Sequence, residues 1–209
     1  PDAIENTLFS FGANGYIQET ELTMGTGYWL RFTNENVTTI SGSYVDNLTI
    51  TLQENWNLIS GISADFPIDN IFDPGNLIIS LTSFGFGSNG YFLVESLMPG
   101  QGIWIRSNGA GEITLSSSAR GKSRNKVKNH VREANVITLN GFPLYFGVDI
   151  PESEKLSYSL PPKPPAGVFD ARFSGDWRAV ESEGSIEYFN PKNDLSIYYQ
   201  VNENERWIL

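Results

Sequence analysis

The sequence predicts an all-β protein: two related small antiparallel β-modules followed by an immunoglobulin-like β-sandwich domain. Three observations carry that expectation. Aromatic residues are plentiful (Phe 13, Tyr 9, Trp 5) and Gly reaches 20 in 209 residues, the make-up of short strands joined by tight turns. Apolar side chains alternate with polar ones in segment after segment. Finally, the chain repeats itself at an offset of 75 residues. Phe9, Phe11, Gly12, Asn14, Gly15, Tyr16, Leu22, Gly25, Gly27, Trp29 and Arg31 recur as Phe84, Phe86, Gly87, Asn89, Gly90, Tyr91, Leu97, Gly100, Gly102, Trp104 and Arg106, which is 11 identities in 23 positions without a gap. Duplication of this kind points to a modular protein and away from a single catalytic pocket.

The elements follow in order. In Gly27–Phe32, Tyr28, Leu30 and Phe32 share one strand face and Trp29 and Arg31 the other; Gly102–Ser107 repeats this with Ile103 and Ile105 against Trp104 and Arg106. Leu48, Ile50 and Leu52 alternate with Thr49, Thr51 and Gln53, a half-buried strand, and Trp56–Ser60 follows after a turn at Glu54. Asn-Gly pairs at 14–15, 89–90, 108–109 and 140–141 favour hairpin turns, the last between Val136–Leu139 and Phe142–Gly147. Short helical turns are expected at Ala3–Leu8 and Pro67–Phe72, and the one candidate for a longer helix is Ser123–Ala134. Further strands are expected at Gly167–Phe173, Ser185–Phe189 and Leu195–Val201, after a proline-rich run, Leu160–Pro165, that favours extended backbone. The resulting domains are 1–47 (first repeat), 48–118 (second repeat), 119–134 (a basic linker) and 135–209 (the sandwich). The strand pair Leu48–Gln53 and Trp56–Ser60 opens the second repeat and has no counterpart before the first. The chain reads as a piece of a longer protein.

Charge narrows the partners. Net charge is −10, yet Arg120, Lys122, Arg124, Lys126, Lys128 and Arg132 lie in one stretch without an acid. Setting those six aside leaves 8 basic against 24 acidic residues, a net of −16. So acidic a surface argues against nucleic acid as a partner, because the phosphate backbone needs a matching basic face. No apolar run approaches the roughly 18 residues of a membrane-spanning helix. There is no cysteine, which excludes disulfides and thiol chemistry.

Two sets of motifs carry a resemblance. Trp56-Asn57-Leu58-Ile59-Ser60 with Leu97-Met98-Pro99-Gly100-Gln101-Gly102-Ile103-Trp104 resembles the "WNLIS … L-x-PG-x-GYW" module of large secreted bacterial proteins that carry a type IX secretion sorting domain. The first repeat shows only the second half, Leu22–Trp29, with Met24 where the family usually has Pro. Leu144-Tyr145-Phe146-Gly147, followed by Leu160–Phe173, is similar to the "LYFG … LPPxPPxGxFDxRF" domain of the same proteins. The resemblance covers nearly the whole chain except the basic linker, and the sorting domain itself is not in it. What it implies is export and an extracellular or cell-surface location; it implies no activity.

For catalysis the inventory is thin. The one histidine, His130, lies in the basic linker, and the carboxylate pairs Glu19/Glu21 and Glu181/Glu183 have a spacing that chance supplies often. No enzyme is expected. No cofactor is expected beyond a calcium ion at Asp69, Asn70, Asp73 and Asn76, whose oxygens cluster around Pro74-Gly75; an ordinary Asx-rich turn explains the same residues. The sharper candidate is the pair of faces Trp29/Arg31 and Trp104/Arg106, extended by Tyr16 and Tyr91. Turned to solvent, each is an aromatic platform beside a guanidinium, suited to stacking on a sugar ring; turned inward, each is the module's own core. The functional expectation is a structural or adhesive module of a secreted or surface protein. Its alternatives are a carbohydrate-binding module and a polymer-forming subunit completed by a strand of a neighbouring copy, with Leu195–Gln200 as donor. Its partners are other domains of the parent protein, surface glycans or neighbouring copies.

Overall fold

A computed structural model describes residues 3–34, 42–118, 127–189, 194–202 and 206–208. The protein is all-β, and no helix among the described residues is long and apolar enough to cross a membrane. Two compact units form. The first comprises Pro1–Ile79, Ser83–Gly85 and Val94–Asn125, and so holds the first repeat and most of the second; the second comprises Ser80–Thr82, Phe86–Leu93 and Lys126–Leu209, and so takes in the tip of the second repeat's hairpin.

The first unit opens with the hairpin β1 (Phe9–Gly12) and β2 (Gly15–Gln18). Next come β3 (Asn47–Leu52), β4 (Asn55–Ser60) and the short β5 (Phe66–Pro67), which runs into a single 3₁₀ turn at Ile68–Asn70. The second repeat's hairpin consists of β6 (Phe84–Gly87), which starts in this unit, and β7 (Gly90–Leu93), which belongs to the second unit; β8 (Ser96–Leu97), β9 (Gly102–Ser107) and β10 (Gly111–Ser116) complete the first unit's set. β3 and β4 are adjacent in sequence but do not pair. β3 pairs with β10, from Asn47↔Ser116 to Leu52↔Gly111, while β4 pairs with β9, from Asn55↔Ser107 to Ser60↔Gly102. The connection is an arch: Asn55 takes φ 73°, and the Asn57 side chain bridges the bend by accepting from Gln53 N–H and donating to its carbonyl. Asn enters this left-handed region more readily than other residues with a Cβ.

Between the two ladders lies the core, made of Ile50, Leu52, Ile59, Ile62, Phe66, Ile68, Ile71, Ile78, Leu97, Ile103, Ile105, Ile113 and Leu115. The period-two alternation of β3, β9 and β10 aims one face of each strand into it.

The repeat is structural as well as textual. Ile4 N–H donates to Arg31 C=O as Ile79 N–H does to Arg106 C=O; Glu19 to Leu8 matches Val94 to Ser83, and Thr26 to Thr23 matches Gln101 to Met98. The cross-strand pairs Ala3↔Phe32 and Phe9↔Trp29 recur as Ile78↔Ser107 and Phe84↔Trp104. Between these bonds Ala3–Leu8 makes a turn at Glu5-Asn6 (Asn6 φ 61°), without the helical turn expected there. The two copies meet at their matching glycines. A Cβ on Gly27 would sit 2.6 Å from the Ile59 carbonyl oxygen, and one on Gly102 would sit 3.3 Å from the Gly27 Cα. Gly27 N–H donates to Leu58 C=O and Ser60 N–H to Gly25 C=O, so β4 also bonds to the first repeat.

The second unit contains β11 (Asn135–Leu139), β12 (Phe142–Phe146), β13 (Asp170–Phe173), β14 (Ala179–Val180), β15 (Ile186–Phe189) and β16 (Ile197–Gln200). Its larger sheet has the order β14-β12-β11-β16, with β12 and β14 parallel, and β13 pairs with β15 in a two-stranded ladder. The β11–β12 hairpin turns on Asn140 (φ 48°) and Gly141 (φ 87°), the double positive φ of a type I′ turn. In β1–β2 the two-residue loop is instead Ala13-Asn14, closed by the Gly12↔Gly15 pair, and Gly15 follows it at φ 106°. Of the basic linker, residues 119–126 lie outside the described residues. In the described part of the expected helix, 127–134, there is a 3₁₀ turn at His130–Glu133 that buries Val131.

Gly27→Ala is expected to lower stability by about 1–3 kcal/mol through this overpacking, read as a lower urea midpoint. Gly109→Ala, which meets nothing within 4 Å, is the control and should shift it by less than about 0.5 kcal/mol.

Candidate functional site

The two Trp/Arg faces occupy unlike surroundings. β9 is buried on both sides: Ile103 and Ile105 face the core, and Trp104 on the opposite side is only 2% exposed. Its indole is closed in by the first repeat's hairpin. Phe11 meets it edge-on at 4.8 Å between centroids, Tyr16 at 6.5 Å and Trp56 of β4 at 6.4 Å and 88°. Such edge-to-face contacts add to the large apolar area an indole buries. Arg106 spreads over Trp56 at 5.7 Å and donates from Nη2 to Asn55 Oδ1 at 3.2 Å. Trp104 therefore offers no open ring face.

Tyr91 is buried as well. Its hydroxyl donates to the Pro162 carbonyl at 2.7 Å and its ring stands edge-on to Phe86 at 5.0 Å, all within the second unit. Gly90 beside it (φ 89°) lies so close to Phe142 that a Cβ there would overlap the ring. In the first repeat Trp29 and Tyr16 are half-buried and Arg31 is exposed. Of the six candidate residues, Tyr16 and Trp104 are brought together, and as a packing cluster.

The Asx cluster is a turn. Asp73 accepts from Leu77 N–H (Oδ1, 2.8 Å) and Ile78 N–H (Oδ2, 2.9 Å), so both carboxylate oxygens cap backbone amides. Asn76 occupies the left-handed region at φ 50°, and Asp69 is exposed on the 3₁₀ turn. Among the described residues, no group of three or more His, Cys, Asp or Glu side chains is placed to hold a metal ion.

His130 is tied in place. Its Nε2 lies 2.9 Å from Glu154 Oε2, its backbone N–H donates to the Tyr158 hydroxyl at 2.9 Å, and that hydroxyl donates to the Lys128 carbonyl at 3.1 Å. Burial pushes the Tyr158 phenol above its ordinary range. Glu19 accepts from Ser10 Oγ at 2.7 Å, and Glu181 and Glu183 are exposed.

Sequence reasoning missed what the FDxRF motif does. Asp170 and Arg172 are two apart on β13, both fully buried, and joined Nε to Oδ2 at 2.6 Å. Arg172 Nη1 also donates to the Pro161 carbonyl (2.9 Å) and to Asp176 Oδ1 (2.8 Å), while Leu160 N–H donates to Asp176 C=O (2.7 Å). One guanidinium thus clasps the proline-rich run to β13 and its following turn. Burial works to lower the Arg172 pKa, but the hydrogen bonds and charges of Asp170 and Asp176 outweigh it and hold it above the ordinary value. Arg178 lies over the Tyr158 ring at 5.1 Å, and burial lowers its pKa to about 10. A paired Asp and Arg bracketing one residue, opposite a Pro-Pro run, was the available signal.

Comparison with protein-family models, with curated proteins and with solved structures finds no match.

Arg172→Met leaves a buried carboxylate without its cation and is expected to cost about 3–5 kcal/mol in urea unfolding. The double substitution Asp170→Asn/Arg172→Met should cost less than the sum of the two singles, because the charges removed are each other's partners.

Proposed function

We propose that this chain is a non-enzymatic extracellular module of a larger secreted or cell-surface bacterial protein, with a structural or adhesive role. The observation that carries the reading is the fate of the duplicated hairpin. The first copy's Phe11 and Tyr16 pack on Trp104, and the second copy's Tyr91 binds the Pro162 carbonyl. The most specific residues of the repeat are thus used to fasten one stretch of chain to another, as in proteins made of serially stacked units. Arg172 likewise serves packing. The likeness of its motifs to modules of type IX-secreted proteins supports the location, and the acidic surface, net −10, suits a protein that does not engage nucleic acid.

Surface proteolysis of intact cells that make the parent protein tests the location. Fragments carrying this sequence should be released by protease before lysis, and protection until the envelope is opened overturns the reading. A glycan array tests adhesion through the first repeat: specific binding lost in a folded Trp29→Ala variant would move the role from structural to carbohydrate-binding.

A further inference from the structure

The two repeats agree in their hydrogen bonds and differ in what covers them. Leu97, Ile103 and Ile105 are 0%, 1% and 0% exposed in the second repeat. Their counterparts at the 75-residue offset are Leu22, 63% exposed, Tyr28, half-buried, and Leu30, 36% exposed. Phe32, 45% exposed, stands where the second repeat has the buried Ser107.

The backbone tells the same story. Along an extended strand, alternate residues direct their N–H and C=O groups to the same edge. Gly27 N–H bonds to Leu58 and Trp29 bonds to Phe9 in both directions, so this edge of the first repeat is occupied. Tyr28 and Leu30 face the other edge. Neither makes a backbone hydrogen bond among the described residues. In the second repeat the matching edge is where β4 lies, with Ile103, Ile105 and Ser107 opposite Ile59, Asn57 and Asn55. Beyond β4, the matching face is covered by β3 through Ile50 and Leu52.

We propose that Tyr28–Phe32, with Leu22 beside it, is a strand-acceptor site for the opening β3–β4 segment of another repeat of this kind. The second repeat supplies the template. The incoming strand of W-N-L-I-S type pairs antiparallel with Tyr28–Phe32, its isoleucine opposite Tyr28 and its two asparagines opposite Leu30 and Phe32. The preceding N-L-T-I-T-L strand covers Leu22 and Leu30 with its leucines and isoleucine. Recognition has two parts: main-chain bonds along the edge where Tyr28 and Leu30 make none among the described residues, and alternate apolar side chains against the partly exposed face of Leu22, Tyr28 and Leu30, the arrangement of β-strand addition. Of Leu195–Gln200, the segment expected as a donor between copies, Ile197–Gln200 is already paired with β11, from Val136↔Gln200 to Leu139↔Ile197. The donor chemistry therefore belongs to Asn47–Ser60.

The test uses the whole chain and a synthetic peptide of the sequence Asn47–Ser60, with a control of the same composition whose alternation is broken. Saturable one-to-one binding of the first peptide is expected, with hydrogen exchange slowed across Gly27–Phe32. Leu30→Asp should weaken binding at least about tenfold, since it sets a charge against the incoming apolar strand. Leu22→Asp, at a site 63% exposed, gives a second variant whose fold does not depend on the side chain. Tyr198→Asp in the second unit should bind as the parent does. No binding, protection confined to Ile103–Ser107 through exchange with the resident β4, or binding indifferent to both aspartates would overturn the proposal.

Discussion

The first unit depends on one constraint: the second repeat's β9 strand must be covered on both faces. Ile103 and Ile105 are covered by the β3–β10 ladder, and Trp104 is covered by the first repeat's hairpin. The hairpin reaches the indole because two glycines, Gly27 and Gly102, leave room for main chain against main chain. A Cβ at Gly27 would press on the Ile59 carbonyl oxygen at 2.6 Å, so any side chain there crowds this approach. The duplicated residues thus divide into those that shape the strand and those that let the copies approach, and the two kinds work only together.

The second unit rests on a different device. Its proline-rich run has few backbone N–H groups to offer a sheet, so it cannot be bound by a ladder. Arg172 substitutes a side-chain donor reaching the Pro161 carbonyl, and Tyr91 does the same at Pro162. Burying a guanidinium is costly, and the cost is offset here by hydrogen bonds to two carboxylates and a carbonyl. Proline-rich segments and buried side-chain donors go together for this reason.

Much of the architecture was legible in the sequence. The alternation in Leu48–Leu52 and Gly102–Ser107 marks strands that do form, and Asn140-Gly141 marks a hairpin turn that does too. What periodicity cannot show is partnership. Leu48–Leu52 and Asn55–Ser60 look like a hairpin because a short turn separates them, and the left-handed Asn55 sends them to opposite layers. The same limit applies to Trp104, where alternation assigns the side but not what lies on that side. The Asp170–Arg172 pair was visible as a motif and silent as chemistry, since its meaning lies in a carbonyl 11 residues away.

The β3–β4 arch also dictates the order in which the first unit takes shape. β3 closes only with β10, and the Thr49–Thr114 hydroxyl contact spans 65 residues of chain. Loop closure over such a distance must precede any gain from the sheet, which slows folding relative to proteins built from local pairs. During synthesis, Phe11 and Tyr16 emerge long before Trp104 exists to receive them. Until residue 116 is available, β3 lacks the β10 partner that closes the core over it.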